Sequence, residues 1–331
     1  MLINKQSWLR ALIFFSGSFF ALILCEVVLR FYFKMSTNYD IEMWRYASLL
    51  KQKTEDNRFH IHRPNQKAWL MKVEVKINSL GFRDREFSLP KPENVFRILA
   101  LGDSVTFGWG VSVDKTFTKL IEERINEDQN FNKLLGKTEF INMGVGNYNT
   151  EQEAESYLKV GRLLQPDAAI IFFYINDAEP TQTKTPNFLT NHSFLAVFFL
   201  QRMEQLRSYF EFDRHYITYY QKTFRNNNLL NFQNHIKKLL TDLQNDGVRP
   251  IGVIVPEIRA LANYPFLDYH KEVSASLREK GVEVVDLLPV FLGKDPKDLM
   301  VASDDPHPNE MGHQIIAKAV FDAIKQRKLI P

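Results

Sequence analysis

Two kinds of hydrophobic pattern divide the chain. From Trp8 to Phe33 the stretch WLRALIFFSGSFFALILCEVVLRFYF is apolar apart from Arg10, Ser16, Ser18, Glu26 and Arg30, a run long enough for one helix to cross a bilayer. From Val95 onward, short apolar runs alternate with amphipathic ones. VFRILALG (95–102), TEFINMG (138–144), DAAIIFFYI (167–175), PIGVIVP (250–256) and VEVVDL (282–287) read as five strands. A continuous run such as the first suits a parallel strand buried on both faces. TFTKLIEERINED (116–128) and TEQEAESYLKVGRLL (150–164) have helical spacing, the second with Thr150 at the N-cap. The alternation predicts an α/β fold, a parallel sheet with helices on both sides, and places any ligand beyond the carboxyl ends of the strands.

Between these regions, MKVEVKINSLGFRD alternates Val73, Val75 and Ile77 with polar residues and turns at Asn78 to Gly81, a half-buried strand in a small hairpin or edge. The expected organisation is a tail and membrane anchor over 1–34, a linker with a small β element over 35–94, and one large domain over 95–331. The stretch from Glu179 to about Asn226 is too long for an ordinary strand-to-helix connection. Within it, SFLAVFFLQRMEQLRSYFEF (193–212) sets Leu195, Phe198, Phe199, Met203, Leu206 and Phe210 at helical spacing. A helical cover beside the crevice is expected there; the rival placements are that this face packs on the membrane close to the anchor, or that it completes the core.

Composition narrows the possibilities. The 331 residues are 45% hydrophobic and 24% charged with a formal net charge of +3, and no dense Lys/Arg stripe interleaves with aromatics, so no nucleic-acid partner is expected. Cys25 is the only cysteine, which excludes an intrachain disulfide and a cysteine-based metal site. His60, His62, His192, His215, His235 and His270 form no ligand pattern, and His60-x-His62 reads as a linker strand; no metal or cofactor is expected. ALILCEVV lacks a small-residue cleavage site, and Leu24 before Cys25 does not suit lipoprotein processing. The apolar run therefore reads as a retained anchor. Lys5 and Arg10 favour an inward tail and an outward domain, although Arg30 and Lys34 flank the other end. The alternative, a buried helix of a soluble protein, must give Glu26 and Arg30 partners.

The candidate chemistry starts where the first core strand stops. In LALGDSVTFGWG, Gly102 allows a sharp turn and Ser104 projects into the crevice; a serine there also commonly caps the next helix. Neither G-x-G-x-x-G nor G-x-x-x-x-G-K-[ST] occurs at this turn, so dinucleotide and P-loop readings fail. A nucleophilic serine needs a base, an acid and oxyanion donors. SDDPHPNEMGH (303–313) offers Asp304 and His307 three apart around Pro306, with Asp305 the rival acid and His313 structural. The glycine-rich bend NMGVGNYNT (142–150) offers backbone N–H groups, and the Asn176 amide a further donor, each worth about 3 kcal/mol to a transition state. Asn176 as an ordinary loop residue is the bland alternative.

Taken together, G-D-S at 102–104, the bend from Asn142, Asn176-Asp177, and D-P-H-P-N at 305–309 preceded by Asp304 resemble the SGNH/GDSL hydrolase superfamily over Val95 to the C-terminus. The resemblance implies a flavodoxin-like three-layer α/β/α sandwich with a five-stranded, mostly parallel sheet. It makes Ser104 the nucleophile with Asp304 and His307, and forms the oxyanion hole from the Ser104 N–H, Gly146 or Asn147, and Asn176. Two positions depart from the family pattern. Asn147 aligns with a family glycine, and Tyr174 replaces the glycine of G-x-N-D, bringing a ring beside the donor. The resemblance implies a serine esterase acting on acyl groups, O-acetyl among them, of an acylated carbohydrate or lipid. The alternatives are an O-acetyltransferase with the same triad and an inactive membrane-tethered glycan-binding or assembly protein.

Overall fold

The computed structural model describes residues 5–181, 192–210 and 216–331. One compact unit takes in Met1–Ser48 and Lys184–Arg214, the other Leu49–Thr183 and His215–Pro331.

In the larger unit, β1 (Lys51–Lys53) pairs with β2 (His60–His62) and β3 (Lys67–Leu70) with β4 (Val73–Lys76), two antiparallel hairpins that precede the main sheet. Val75 and Ile77 are buried as their alternation predicts. The main sheet is built of β5 (Val95–Leu101), β6 (Lys137–Asn142), β7 (Ala168–Phe173), β8 (Arg249–Ile254) and β9 (Glu283–Asp286). Its order is β6-β5-β7-β8-β9, and every pairing is parallel. A last hairpin joins β10 (Met300–Ala302) to β11 (Asp305–Pro308).

Helices cover both faces. Over the whole chain the helices in order are α1 (Lys5–Met35), α2 (Tyr39–Leu50), α3 (Ser104–Phe107), α4 (Phe117–Glu127), α5 (Gln129–Leu135) and α6 (Thr150–Lys159). There follow α7 (Phe194–Phe210), α8 (Tyr216–Thr223), α9 (Asn226–Asn245), α10 (Leu267–Arg278), α11 (Leu288–Phe291) and α12 (Glu310–Arg327). Alternation along β5 makes the layers. Ile98 and Ala100 pack in a core with Ile121 of α4 and Ile316 of α12. Leu99 and Leu101 pack on the other side with Tyr157 of α6, Ile236 of α9 and Leu277 of α10. This is the expected three-layer sandwich with a five-stranded parallel sheet.

Local details differ from expectation in one cap. α6 is capped by Asn149 rather than Thr150: the Gln152 N–H donates to Asn149 Oδ1 at 3.1 Å, and Asn149 N–H donates back to Gln152 Oε1 at 3.2 Å. Reciprocal bonding satisfies two helix-end donors that a threonine one position later would miss.

In the N-terminal unit, Phe33, Ile41 and Val197 are buried together, with Trp44, Phe194 and Phe198 packed around them. Glu26, an acid within the apolar run, pairs with Arg30 at 2.7 Å. It also accepts from Ser193 Oγ at 2.8 Å and from the Phe194 and Leu195 N–H groups at 3.1 and 2.9 Å, capping α7. The expected helical cover is thus divided. α7 packs on α1, with Phe199, Met203 and Leu206 exposed. The part of the insertion in the larger unit is α8, whose Tyr216 and Tyr220 rings meet Phe266. Residues 182–191 and 211–215 and the Phe210 side chain lie outside the described residues.

One buried ion pair ties the start of the sheet together. Arg97 on β5 is fully buried and donates to Glu139 on β6 at 2.8 Å, to Leu164 O at 2.9 Å and to Ser88 O at 2.7 Å. Removing one partner of a buried pair leaves the other desolvated and unpaired. Arg97→Ala is expected to cost about 3–5 kcal/mol of unfolding free energy in urea titrations; a loss under about 1 kcal/mol would refute this account.

Candidate active site

Because all five strands run the same way, the loops after β5, β6 and β7 emerge at one end of the sheet, where ligands of open α/β sheets bind. Ser104 opens α3 three residues beyond the end of β5. Its neighbour Asp103 caps that helix, accepting from the Val105 N–H at 2.8 Å, so the serine is spared the capping role. A side chain on Gly102 would meet Thr106 Oγ1 at 2.1 Å, which is why the strand leaves through glycine.

His307 reaches this serine from 203 residues away. Its Nε2 lies 2.7 Å from Ser104 Oγ, and its Nδ1 lies 2.6 Å from Asp305 Oδ1. An ionised carboxylate only accepts, so Nδ1 carries the proton and Nε2 is the lone pair facing the hydroxyl. Asp305 Oδ1 also accepts from the His307 N–H at 3.1 Å, and its Oδ2 from Trp109 Nε1 at 2.6 Å. Asp305 is fully buried.

The acid at the ring is therefore Asp305, a correction to the expected Asp304. The reason is local geometry. Residues 305–308 are extended as β11, and side chains two apart on a strand point to the same side. Asp305 and His307 share a face, whereas Asp304 is exposed in the turn between β10 and β11. A turn-based reading of Asp-x-x-His missed this. Trp109, the donor to the other oxygen of the acid, was also missed; the only sequence signal was an aromatic between Gly108 and Gly110. His313 is structural, as expected: its Nδ1 accepts from the Phe117 N–H at 3.0 Å, and burial pushes its pKa down to about 3.

Asn147 and Asn176, two of the residues expected as oxyanion donors, stand on the loops that follow β6 and β7. After β6, Asn142 Oδ1 accepts from the Gly144 N–H at 2.9 Å and Asn142 Nδ2 donates to Thr106 O at 2.7 Å, binding the bend to α3. Gly144 is obligatory here, because a Cβ would sit 2.3 Å from Phe107 N and 2.9 Å from Asp103 O. The bend then passes through Asn147 at φ +65°, the conformation a family glycine would supply. Neither the Ser104 nor the Asn147 N–H donates to an acceptor among the described residues. Asn147 and Asn176 line one polar depression with Asn149, Gln152 and Glu179.

Tyr174 does not hang free beside the donor. Its hydroxyl donates to Glu257 Oε2 at 2.9 Å, and its carbonyl accepts from Tyr269 OH at 2.6 Å. Behind the site, Asp103, Glu153 and Asp177 are buried close enough to repel one another; burial and that repulsion push the Glu153 and Asp177 carboxyls well above the usual range. No cluster of metal-ligating side chains occurs among the described residues.

The chain has relatives among known proteins. A model of the GDSL-like lipase/acylhydrolase family matches residues 100–315. Among solved structures it is similar to TesA at 11% identity, over 71% of this chain and 99% of that one, with a TM-score of 0.48. It is also similar to the acetyl xylan esterase AlAXEase (14% identity, 69% and 100% coverage, TM-score 0.46). A third is the psychrotrophic esterase EstA from Pseudoalteromonas sp. (14% identity, 70% and 97% coverage, TM-score 0.45). No protein of curated function matches the chain.

The two neighbouring aspartates make a direct test. Asp305→Asn should lower kcat for p-nitrophenyl acetate by about 10³–10⁴-fold, since an amide no longer fixes the tautomer with Nε2 unprotonated. Asp304→Asn should stay within about threefold of wild type. The reverse ranking would return the acid's role to Asp304.

Proposed function

The chain belongs to the GDSL-like lipase/acylhydrolase family, and from that premise, an ester-bond hydrolase, we propose that it is a membrane-tethered serine esterase removing short acyl groups, O-acetyl in particular, from a carbohydrate. The observation that carries the reading is the unbroken chain Ser104 Oγ, His307 Nε2, His307 Nδ1, Asp305 Oδ1, with both links under 3 Å. Ser104 Oγ attacks the ester carbonyl as its proton passes to His307 Nε2. The N–H groups of Ser104 and Asn147 and the Asn176 amide receive the carbonyl oxygen as it becomes negative. His307 returns the proton to the leaving alcohol, and water, deprotonated by the same nitrogen, then releases the acid and restores Ser104.

Two further observations support the substrate class and the tether. The depression beside the donors is walled by amide and carboxyl side chains, which can bond sugar hydroxyls and offer little apolar area to a long acyl chain. Helix α1 is apolar over 28 residues, Gln6–Phe33, and Phe14 and Phe15 are each 69% exposed. Such a surface is stable in lipid. Glu26, costly there alone, is compensated by Arg30 and the first turn of α7. The short tail bearing Lys5 and Arg10 lies on the cytoplasmic side in this reading, and the catalytic unit on the other.

A fluorophosphonate probe should label the purified protein and not Ser104→Ala. Turnover of p-nitrophenyl acetate should exceed that of the octanoate by at least about tenfold in kcat/KM, the direction expected of a polar site. Labelling that survives in Ser104→Ala would refute the nucleophile. A preference for octanoate would replace the carbohydrate ester with a lipid one.

A further inference from the structure

The hairpin β1–β2 lies outside the stretch that the family model matches, yet two of its side chains converge on the oxyanion bend. Lys51 Nζ donates to Gly146 O at 2.5 Å and to Asn147 Oδ1 at 3.1 Å. His60 Nε2 lies 3.1 Å from the same carbonyl. Strand pairing sets both in place, with Lys51 opposite His62 and Lys53 opposite His60. Tyr148, next along the bend, closes the contact by donating from its hydroxyl to His60 O at 2.7 Å, its ring edge-on to the imidazole.

Gly146 C=O and Asn147 N–H belong to one peptide group. That group is planar and trans, so its carbonyl and its N–H point in opposite directions. Two donors on the carbonyl occupy both lone pairs of the oxygen and fix the rotation of the plane. The N–H on the far side has no acceptor among the described residues, and Asn147 lines one depression with Asn176. We infer that Lys51 and His60 are positioning residues of the esterase site, holding and polarising the Gly146–Asn147 peptide so that the Asn147 N–H faces the oxyanion. The inference rests on the esterase reading above.

The same contact accounts for asparagine where the family has glycine. A left-handed residue with a side chain is strained, and here the side-chain oxygen is held by the same ammonium that holds the preceding carbonyl. Hydrogen bonds in such a chain strengthen one another, so donors on the carbonyl make the N–H a better donor. Burial pushes His60 down to about 3, leaving a neutral ring whose Nε2–H donates, and pushes the Lys51 ammonium down to about 7. At that burial the Lys51 side chain depends on the two acceptors of the bend in place of water.

The test is Lys51→Met in the full-length enzyme, which keeps the length of the side chain and removes its donors. With p-nitrophenyl acetate, kcat should fall by about 10–100-fold, less than the 10²–10³ of deleting a donor outright, with KM within about twofold. The thermal midpoint should be equal to or above that of wild type. His60→Gln, which can still donate to the carbonyl, should retain kcat within about threefold, and His60→Leu should lose about tenfold. An unchanged kcat in Lys51→Met, or a loss of kcat matched by a lowered midpoint in both Lys51→Met and His60→Leu, overturns the positioning role. Wild-type turnover that Ser104→Ala shares would instead overturn the esterase reading, and the inference with it.

Discussion

Parallel pairing of β5 between β6 and β7 is the constraint on which the rest of the larger unit depends. Strands that run in one direction must be joined by crossovers, and the helices of those crossovers bury both faces of the sheet. The interior strands then have no wet face, and their side chains are committed to packing. Chemistry is left to the loops at the carboxyl ends. Ser104, the bend from Asn142 to Asn149, and Asn176 follow three adjacent strands and so arrive together without any long-range signal between them.

The base of this site is a set of buried polar groups that hold the loops from beneath. Arg83 is fully buried and donates to Phe107 O, Gly108 O and Val111 O at 3.2, 2.5 and 2.6 Å. These are carbonyls at and beyond the end of α3, which the helix itself leaves unpaired. Asn142 secures the same helix from the other side through Thr106 O. With the carbonyls of Thr106 and Phe107 held in this way, Ser104 has little freedom to leave the reach of His307. Glu153 and Asp177 lie behind, and raised carboxyl pKa values keep protons where ionised acids would repel.

The N-terminal unit obeys a different economy. Its longest helix exposes aromatic and aliphatic side chains along most of its length, while its one internal acid gathers donors from Arg30 and the start of α7. Along that helix polar groups converge on a point and apolar groups spread over the surface.

Sequence alone determined the five strands, because a strand buried on both faces writes itself as a local apolar run, and VFRILAL needs no knowledge of its neighbours. It also put Ser104 at a strand end and His307 in the last loop, positions that chain order sets. Only the tertiary structure decided between Asp304 and Asp305, because the choice turns on whether 305–308 is extended, and that extension is secured by pairing with Met300–Ala302. It alone set α7 against α1, since an apolar helical face states that it will be covered but not by what. It alone brought Lys51 and His60 to Gly146, about ninety residues away in sequence. Periodicity is a property of neighbours along the chain, whereas a hydrogen bond between distant segments exists only once both have been packed, and no local pattern encodes its partner.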